Sequence, residues 1–371
     1  MNSLLSDQGI IDRIFTHIDN KTTDLGERVW REPVANYLSD ERFSAEMELL
    51  KRVPVPFCPS AALPENGSYI ARSAAGTPLI LVRGDDGIVR AFLNGCRHRG
   101  MQVAQDKGCA RAFVCPYHAW TYGLDGHLKH IPGKDGFPDL DPKAHGLVEL
   151  AALEKGGIVY VNQKGPISPE MLEDTPGFFT PDQQFFKQVG FEDKANWKLM
   201  AETSLEGYHI RSLHKKSFFP YGLDNVNVVE TFGSNSRITF PFRRIDKLRD
   251  IKPEERRLDG SVTTVYQLFP NALLSVLSKH SSLVILEPVS PSCTRHVVYQ
   301  LTNKSGNGVE VSVEEAERDA SFVKDSGLDE DRSAACAIQA SLSSGANTHL
   351  TFGRFEKAIV HFHQTLTEQL L

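Results

Sequence analysis

The chain has 371 residues, 40% of them apolar and 24% charged, with a formal net charge of −6. That length favours two domains over one, the mild acidity supplies no basic stripe for nucleic acid, and no apolar run approaches the ~18 residues of a membrane-spanning helix. Six cysteines (58, 96, 109, 115, 293 and 336) are too sparse for a disulfide framework, so a reducing cytoplasm fits best and any paired cysteine function should be metal binding.

The N-terminus carries acids early and lacks the apolar core of a signal peptide. Residues 1–45 form a predicted helical segment that could pack on either domain, with the helical signal continuing to about residue 50. Residues 46–162 change character. Short Val/Ile/Leu runs are broken by Gly-Thr-Pro and Asp-Asp-Gly, which predicts antiparallel strands and tight hairpins ending at GGIVYVNQKGP. A Pro-rich connection, KGPISPEMLEDTPGFFTPDQQ, then opens a second domain over 163–371. There NWKLMAETSLEGYHIRSLH reads as a helix. Strand candidates follow in SRITFPFRR, TTVYQLFPNALLSVLS, SLVILEPVS and TRHVVYQLTN, before helices in VEEAERDASFVKD, DEDRSAACAIQASL and GRFEKAIVHFHQTLTEQLL.

The first chemistry-bearing pattern lies in the strand-rich segment. NGCRHRG places Cys96 and His98 two residues apart, CPYHAW places Cys115 and His118 three apart, and sixteen residues separate the pairs. Two such loops can meet over one metal centre. Ligand count alone allows a structural zinc site with two Cys and two His. The neighbouring residues favour another reading: C-R-H-R-G followed by C-P-Y-H-A-W resembles the binding signature of a Rieske [2Fe–2S] domain. The resemblance implies that two thiolates hold one iron and two imidazoles the other. Gly100 and Pro116 should shape the loops and Trp120 should pack nearby, while Cys109 matches no ligand position and is expected to be a small buried residue.

The second pattern is SLEGYHIRSLH. On a regular helix Glu206 and His209 would lie about 60° apart and His209 and His214 about 140° apart. One helix therefore cannot aim both histidines at one ion, and a bend or end is expected near Arg211–Ser212. Two His and one carboxylate with open positions is the usual mononuclear non-haem Fe(II) arrangement. Together with the upstream motif, the segment resembles the catalytic helix of Rieske non-haem iron oxygenase α subunits, and the resemblance covers most of the chain.

It implies that His209 and His214 are iron ligands. Glu206 is then no ligand but an acid that joins the mononuclear site to a cluster histidine across a subunit boundary. The third ligand is implied to be an aspartate in an E-D…Q segment before the last helices. LDEDRSAACAIQASL fits it with Asp331 and Gln339, and Asp329 and Glu330 are adjacent alternatives. This sequence departs from the family pattern in having Glu206 where Asp is usual and Thr203 where Asn is common. Glutamate at the linking position resembles oxygenases of quaternary ammonium compounds such as carnitine or glycine betaine.

The resemblance also implies an α+β architecture, an all-β Rieske domain plus a helix-grip-type catalytic domain whose helices cover a curved antiparallel sheet. Its function would be that of a terminal oxygenase with a [2Fe–2S] cluster, mononuclear Fe(II) and O₂ as co-substrate. Electrons would come from a separate reductase or ferredoxin, with NAD(P)H involved only through that partner, and the assembly would be a homotrimer. The substrate would be a small aromatic or N-methylated compound that is hydroxylated, dihydroxylated or oxidatively demethylated. Phe218, Phe219 and Tyr221 are candidate substrate-binding residues, as aromatics can face an apolar ring or a methylammonium group. The competing readings are an electron-relay protein without mononuclear iron and a zinc-stabilised interaction module.

Overall fold

The computed structural model describes residues 4–304 and 310–371. They fall into two compact units, one comprising Met47–Pro181 and the other Met1–Glu46 with Asp182–Leu371. The Pro-rich connection therefore groups with the first of these, and the N-terminal helices with the second. Among the described residues no helix is long and apolar enough to cross a membrane.

The Met47–Pro181 unit is built on a seven-stranded antiparallel sheet ordered Val55–Pro59, Ile158–Asn162, Glu149–Lys155, Val89–Leu93, Thr77–Arg83, Ser68–Ala74 and Lys107–Cys109. The hairpin from Ser68–Ala74 to Thr77–Arg83 turns at Ala75 and Gly76, both at positive φ (47° and 75°). That is the turn whose twist matches paired strands. A small three-stranded sheet, Phe113–Val114, Thr121–Tyr122 and Leu128–His130, carries the second Cys–His loop. Ile80, Val82, Phe92, Phe113, Trp120 and Tyr122 form the core between the two sheets, with Cys96 and Cys115 buried in it. Cys109 is exposed, contrary to the sequence reading. Its strand sits at the sheet edge and pairs on one side only, so nothing covers it.

The other unit has a second seven-stranded antiparallel sheet, ordered Phe185–Asp193, Cys293–Thr302, His280–Ser290, Ala272–Val276, Val262–Leu268, Asn235–Pro241 and Val228–Phe232. Its two outer strands, Phe185–Asp193 and Val228–Phe232, carry weak alternation and were not among the sequence candidates. Helices Trp197–Glu202, Val313–Val323 and Lys357–Leu370 pack on the sheet, the last through Ile359, Phe362 and Leu366. This is the α+β arrangement the sequence implied.

The helix expected over NWKLMAETSLEGYHIRSLH is shorter than predicted. It ends at Glu202, well before Arg211–Ser212. Past that end the Glu206 carboxylate holds the next turn: Oε2 accepts the backbone N–H of Tyr208 and, at 3.2 Å, that of His209. A continuing helix would have given those donors to the carbonyls one turn back. Gly207 helps, because a Cβ there would lie 2.6 Å from the Asn227 side chain.

The short helix is held at both ends by buried charge. Lys198, with no exposed surface, contacts both Glu46 carboxylate oxygens at 2.7 and 2.8 Å, and Trp197 Nε1 donates to the same carboxylate at 2.8 Å. At the far end Glu202 Oε1 accepts from Tyr37 Oη (2.7 Å) and lies 2.8 Å from His363 Nε2. Paired in this way the buried charges specify one placement of the helix. The irregular segment that follows therefore starts from a fixed point.

Candidate functional site: two centres of ligating side chains

In the Met47–Pro181 unit the Cys96 and Cys115 loops share one backbone pattern. Cys96 N–H donates to Met101 O (2.8 Å) and Gly100 N–H to Cys96 O (2.8 Å); Cys115 N–H donates to Trp120 O (2.9 Å) and Ala119 N–H to Cys115 O (2.9 Å). The equivalent positions Gly100 and Ala119 both have positive φ (81° and 56°). Glycine is the ordinary occupant there, so Ala119 is a strained residue that the sequence reading passed over. The thiols are 3% and 2% exposed, whereas His98 is half-buried and His118 exposed. The imidazoles lie side by side, 4.7 Å between ring centroids, with His98 stacked on Trp120 at 5.0 Å. Burial and the neighbouring His118 hold the His98 pKa below its ordinary value, which favours the neutral, ligating form.

These side chains fit a two-iron cluster. A single tetrahedral ion would draw all four donor atoms together. Among the described residues the His/Cys/Asp/Glu atoms that converge within 4.8 Å of one another are those of His209, His214 and Asp331, not this set. Tyr122, another residue missed in the sequence, closes the thiolate side. Its hydroxyl accepts Arg97 N–H at 2.9 Å and lies 3.2 Å from Cys96 Sγ. Burial and the Cys96 contact raise its pKa well above 10, so it stays a hydrogen-bond donor to sulfur. Such a bond stabilises the more negative, reduced cluster. Tyr122→Phe should therefore lower the reduction potential, by roughly 40 mV for a bond worth about 1 kcal/mol. Redox titration of the reconstituted protein checks this.

In the other unit the irregular turns after Glu202 bring His209 and His214 together. Their Nε2 atoms are 3.2 Å apart, and Asp331 Oδ1 lies 2.9 Å from that of His214 and 3.3 Å from that of His209. His214 is fully buried, and the His209 and Asp331 side chains are 20% and 13% exposed. Each Nδ1 faces a different carboxylate, Glu206 for His209 and Glu330 at 2.8 Å for His214. The two Nε2 atoms and the Asp331 carboxylate all lie within 4.8 Å of one another. In the metal-free chain burial works against the His209 imidazolium, but Asp331 and Glu206 outweigh it and push its pKa up to about 10. Two imidazoles with one carboxylate fit mononuclear Fe(II).

Three neighbouring acids have separate destinations. Asp331 points at the paired Nε2 atoms, Glu330 at the far nitrogen of His214, and Asp329 Oδ1 at Arg332 (2.9 Å). Arg332 also forks onto both Asp193 carboxylate oxygens at 2.7 and 2.8 Å, which ties the start of the Asp329–Leu342 helix to the sheet. Further along, Gln339 Oε1 accepts Asn196 N–H at 2.8 Å, joining this helix to the head of Trp197–Glu202.

Of the candidate substrate-binding aromatics, only Phe218 lies beside the site, its ring 4.8 Å from that of His214. Phe219 has Arg211 and Arg243 over its ring at 5.9 and 5.0 Å, and Tyr221 is exposed, edge-on to Phe322 at 5.9 Å. Phe218 owes its place to Gly327, in the wide π-helical turn Lys324–Leu328 just before the acids. A Cβ on Gly327 would lie 2.2 Å from the Phe218 ring. Gly327→Ala should therefore press Phe218 toward His214 and destabilise the protein by about 1–3 kcal/mol, as overpacking does. Urea unfolding measures it.

A family model described as the ring-hydroxylating α subunit (catalytic domain) matches residues 183–371, and one for the Rieske [2Fe–2S] domain matches residues 53–142. The glycine betaine monooxygenase oxygenase subunit of Chromohalobacter salexigens is 38% identical over 159 residues, 41% of this chain and 36% of the relative. The carnitine monooxygenase oxygenase subunit of Acinetobacter baumannii is 29% identical over 249 residues, 63% of this chain and 64% of the relative. The chain thus spans less than two thirds of the length of either relative. Among solved structures, the quaternary ammonium Rieske monooxygenase CntA in complex with L-carnitine superposes with a TM-score of 0.77 at 21% identity, covering 100% of this chain and 99% of that one. At that identity the likeness speaks for the fold.

Proposed function

This chain belongs to the ring-hydroxylating α-subunit family, and from that premise we propose that it is the terminal oxygenase component of a multicomponent Rieske oxygenase. The observation that carries the reading is the convergence of His209, His214 and Asp331 on one point, in a chain that also holds the Cys96/His98/Cys115/His118 set. Cys96 and Cys115 would hold one cluster iron, His98 and His118 the other, and His209, His214 and Asp331 the mononuclear iron. When bound, the cluster supplies electrons singly and the mononuclear iron supplies O₂ activation for insertion into a C–H bond.

The chain's own residues prepare that chemistry. Glu206 orients His209 through Nδ1 and would link the site to a cluster histidine of a neighbouring subunit, which favours a ring of three chains as the working assembly. Phe218 packs against His214 and provides an apolar wall. We assign the substrate to small N-methylated compounds, oxidised at an N-methyl or adjacent carbon. The support is Glu206 at the linking position together with relatives named for glycine betaine and carnitine. Electrons would come from a separate reductase or ferredoxin in the cytoplasm, NAD(P)H acting only through that partner.

The test is product-coupled O₂ consumption by the iron-loaded protein with a surrogate reductase, comparing N-methylated compounds with aromatic acids. Product from the N-methylated set supports the assignment, and product from aromatic acids alone moves it to ring hydroxylation. No product from either set, with iron at about two rather than three per chain, leaves the electron-relay reading instead.

A further inference from the structure

We propose that Glu330, acting with Ser217, is the positioning residue for His214: it holds the Nδ1 proton and so fixes Nε2 as the metal-facing nitrogen. The inference rests on the reading that His209, His214 and Asp331 hold a mononuclear metal. Glu330 Oε2 lies 2.8 Å from His214 Nδ1 and accepts the Ser217 hydroxyl at 2.5 Å, while Ser217 Oγ is itself 3.4 Å from the same nitrogen. A carboxylate can only accept here, so with Nε2 given to the metal the ring proton is held on Nδ1.

The arrangement repeats the one at His209, whose Nδ1 meets Glu206. Successive residues of one helix thereby grip opposite nitrogens of the His214 ring, Glu330 at Nδ1 and Asp331 at Nε2. Phe218 lies 4.8 Å from the ring and limits its tilt. With edge and face both constrained, the imidazole has one orientation left to it.

Burial separates this role from simple structural bracing. The Glu330 side chain is 42% exposed, and a carboxylate so exposed adds little to fold stability through an ion pair. His214, by contrast, is fully buried, and with Glu330 gone Ser217 Oγ, 3.4 Å away, is left as the weaker partner of Nδ1. Loss of Glu330 should thus be felt by the metal and not by the fold. Outer partners of metal-bound histidines typically change affinity or activity by about 10–100-fold.

The experiment uses the full chain with its cluster oxidised and EPR-silent, the mononuclear site stripped, and Co(II) as the probe. Glu330→Ala should raise the Co(II) Kd about 10–100-fold and alter the high-spin Co(II) EPR signal. Glu330→Gln, which keeps an acceptor oxygen but loses the charge, should fall between Ala and the wild type, and so should Ser217→Ala. The thermal midpoint of the metal-free variants should match the wild type. A Co(II) Kd and EPR signal unchanged in both Glu330 variants would overturn the proposal. So would weakened binding in Glu330→Gln that merely tracks a lower metal-free midpoint. If the wild type itself takes up no Co(II), the metal-site reading fails first, and that result is distinct from one in which only the variants match the wild type.

Discussion

Asp331→Ala should empty the proposed mononuclear site while leaving the cluster intact, lowering iron from about three to about two per chain and abolishing the proposed oxygenation. Asp331 Oδ1 is within 3.3 Å of both Nε2 atoms, and it is the carboxylate that the Asp329–Leu342 helix turns toward them. Without it the two imidazoles would have to hold a hard divalent ion with no anionic ligand. Glu330 cannot take over, because it faces the other side of the His214 ring, and Asp329 is engaged by Arg332. The cysteine and histidine loops lie in the other compact unit, so the visible absorption of the cluster should be unchanged. Iron analysis with absorption spectroscopy reads both effects from one sample. Mononuclear iron at full occupancy in this variant would remove Asp331 from the ligand set.

How much of this was legible in the sequence depended on how local the physics is. The Cys–His loops could be read directly, because each is a short turn closed by its own backbone hydrogen bonds, with Gly100 marking one left-handed position. Ala119 hid the equivalent position in the second loop, since alanine carries no signal for positive φ. His209 and His214 were marked by the family resemblance, yet the helix expected beneath them ends at Glu202. Past that end a glutamate side chain takes the backbone N–H groups of Tyr208 and His209, and helical periodicity does not register such a competition. Tyr122 and Ser217 could not be singled out at all, and Glu330 was marked only as an alternative ligand, not as a partner of His214 Nδ1. Their roles depend on contacts such as Glu330 to His214, 116 residues apart, that only the folded chain creates. The outer strands Phe185–Asp193 and Val228–Phe232 escaped for a related reason: partly buried strands at the sheet edges lose the strict alternation that marks a half-buried one.

Glu206→Gln should reduce turnover by roughly 10–100-fold while sparing the cluster, with the mononuclear site kept filled by assaying at saturating iron. Glu206 uses its two oxygens for different tasks: Oε1 meets His209 Nδ1 and Oε2 caps the backbone N–H groups of Tyr208 and His209. Glutamine has one acceptor oxygen, so either the ring or the turn is left facing an NH₂ group. The negative charge proposed to couple the two metal sites is lost as well. The three side chains that would hold the metal, His209, His214 and Asp331, are all still present, so saturating iron should fill the site even if its affinity falls. The discriminating measurement is a single turnover from pre-reduced cluster in the presence of substrate and O₂, following cluster oxidation and product together. Slow cluster oxidation at full iron occupancy identifies Glu206 as the link; unchanged cluster oxidation with full product yield would remove it from that role. Glu206→Asp then separates charge from reach. Aspartate restores the anion but is one methylene shorter, and from this backbone position it cannot hold Nδ1 and cap the turn together. Its activity should therefore stay below that of the wild type, because the reach of the glutamate is used here within a single chain, before any neighbouring subunit is involved.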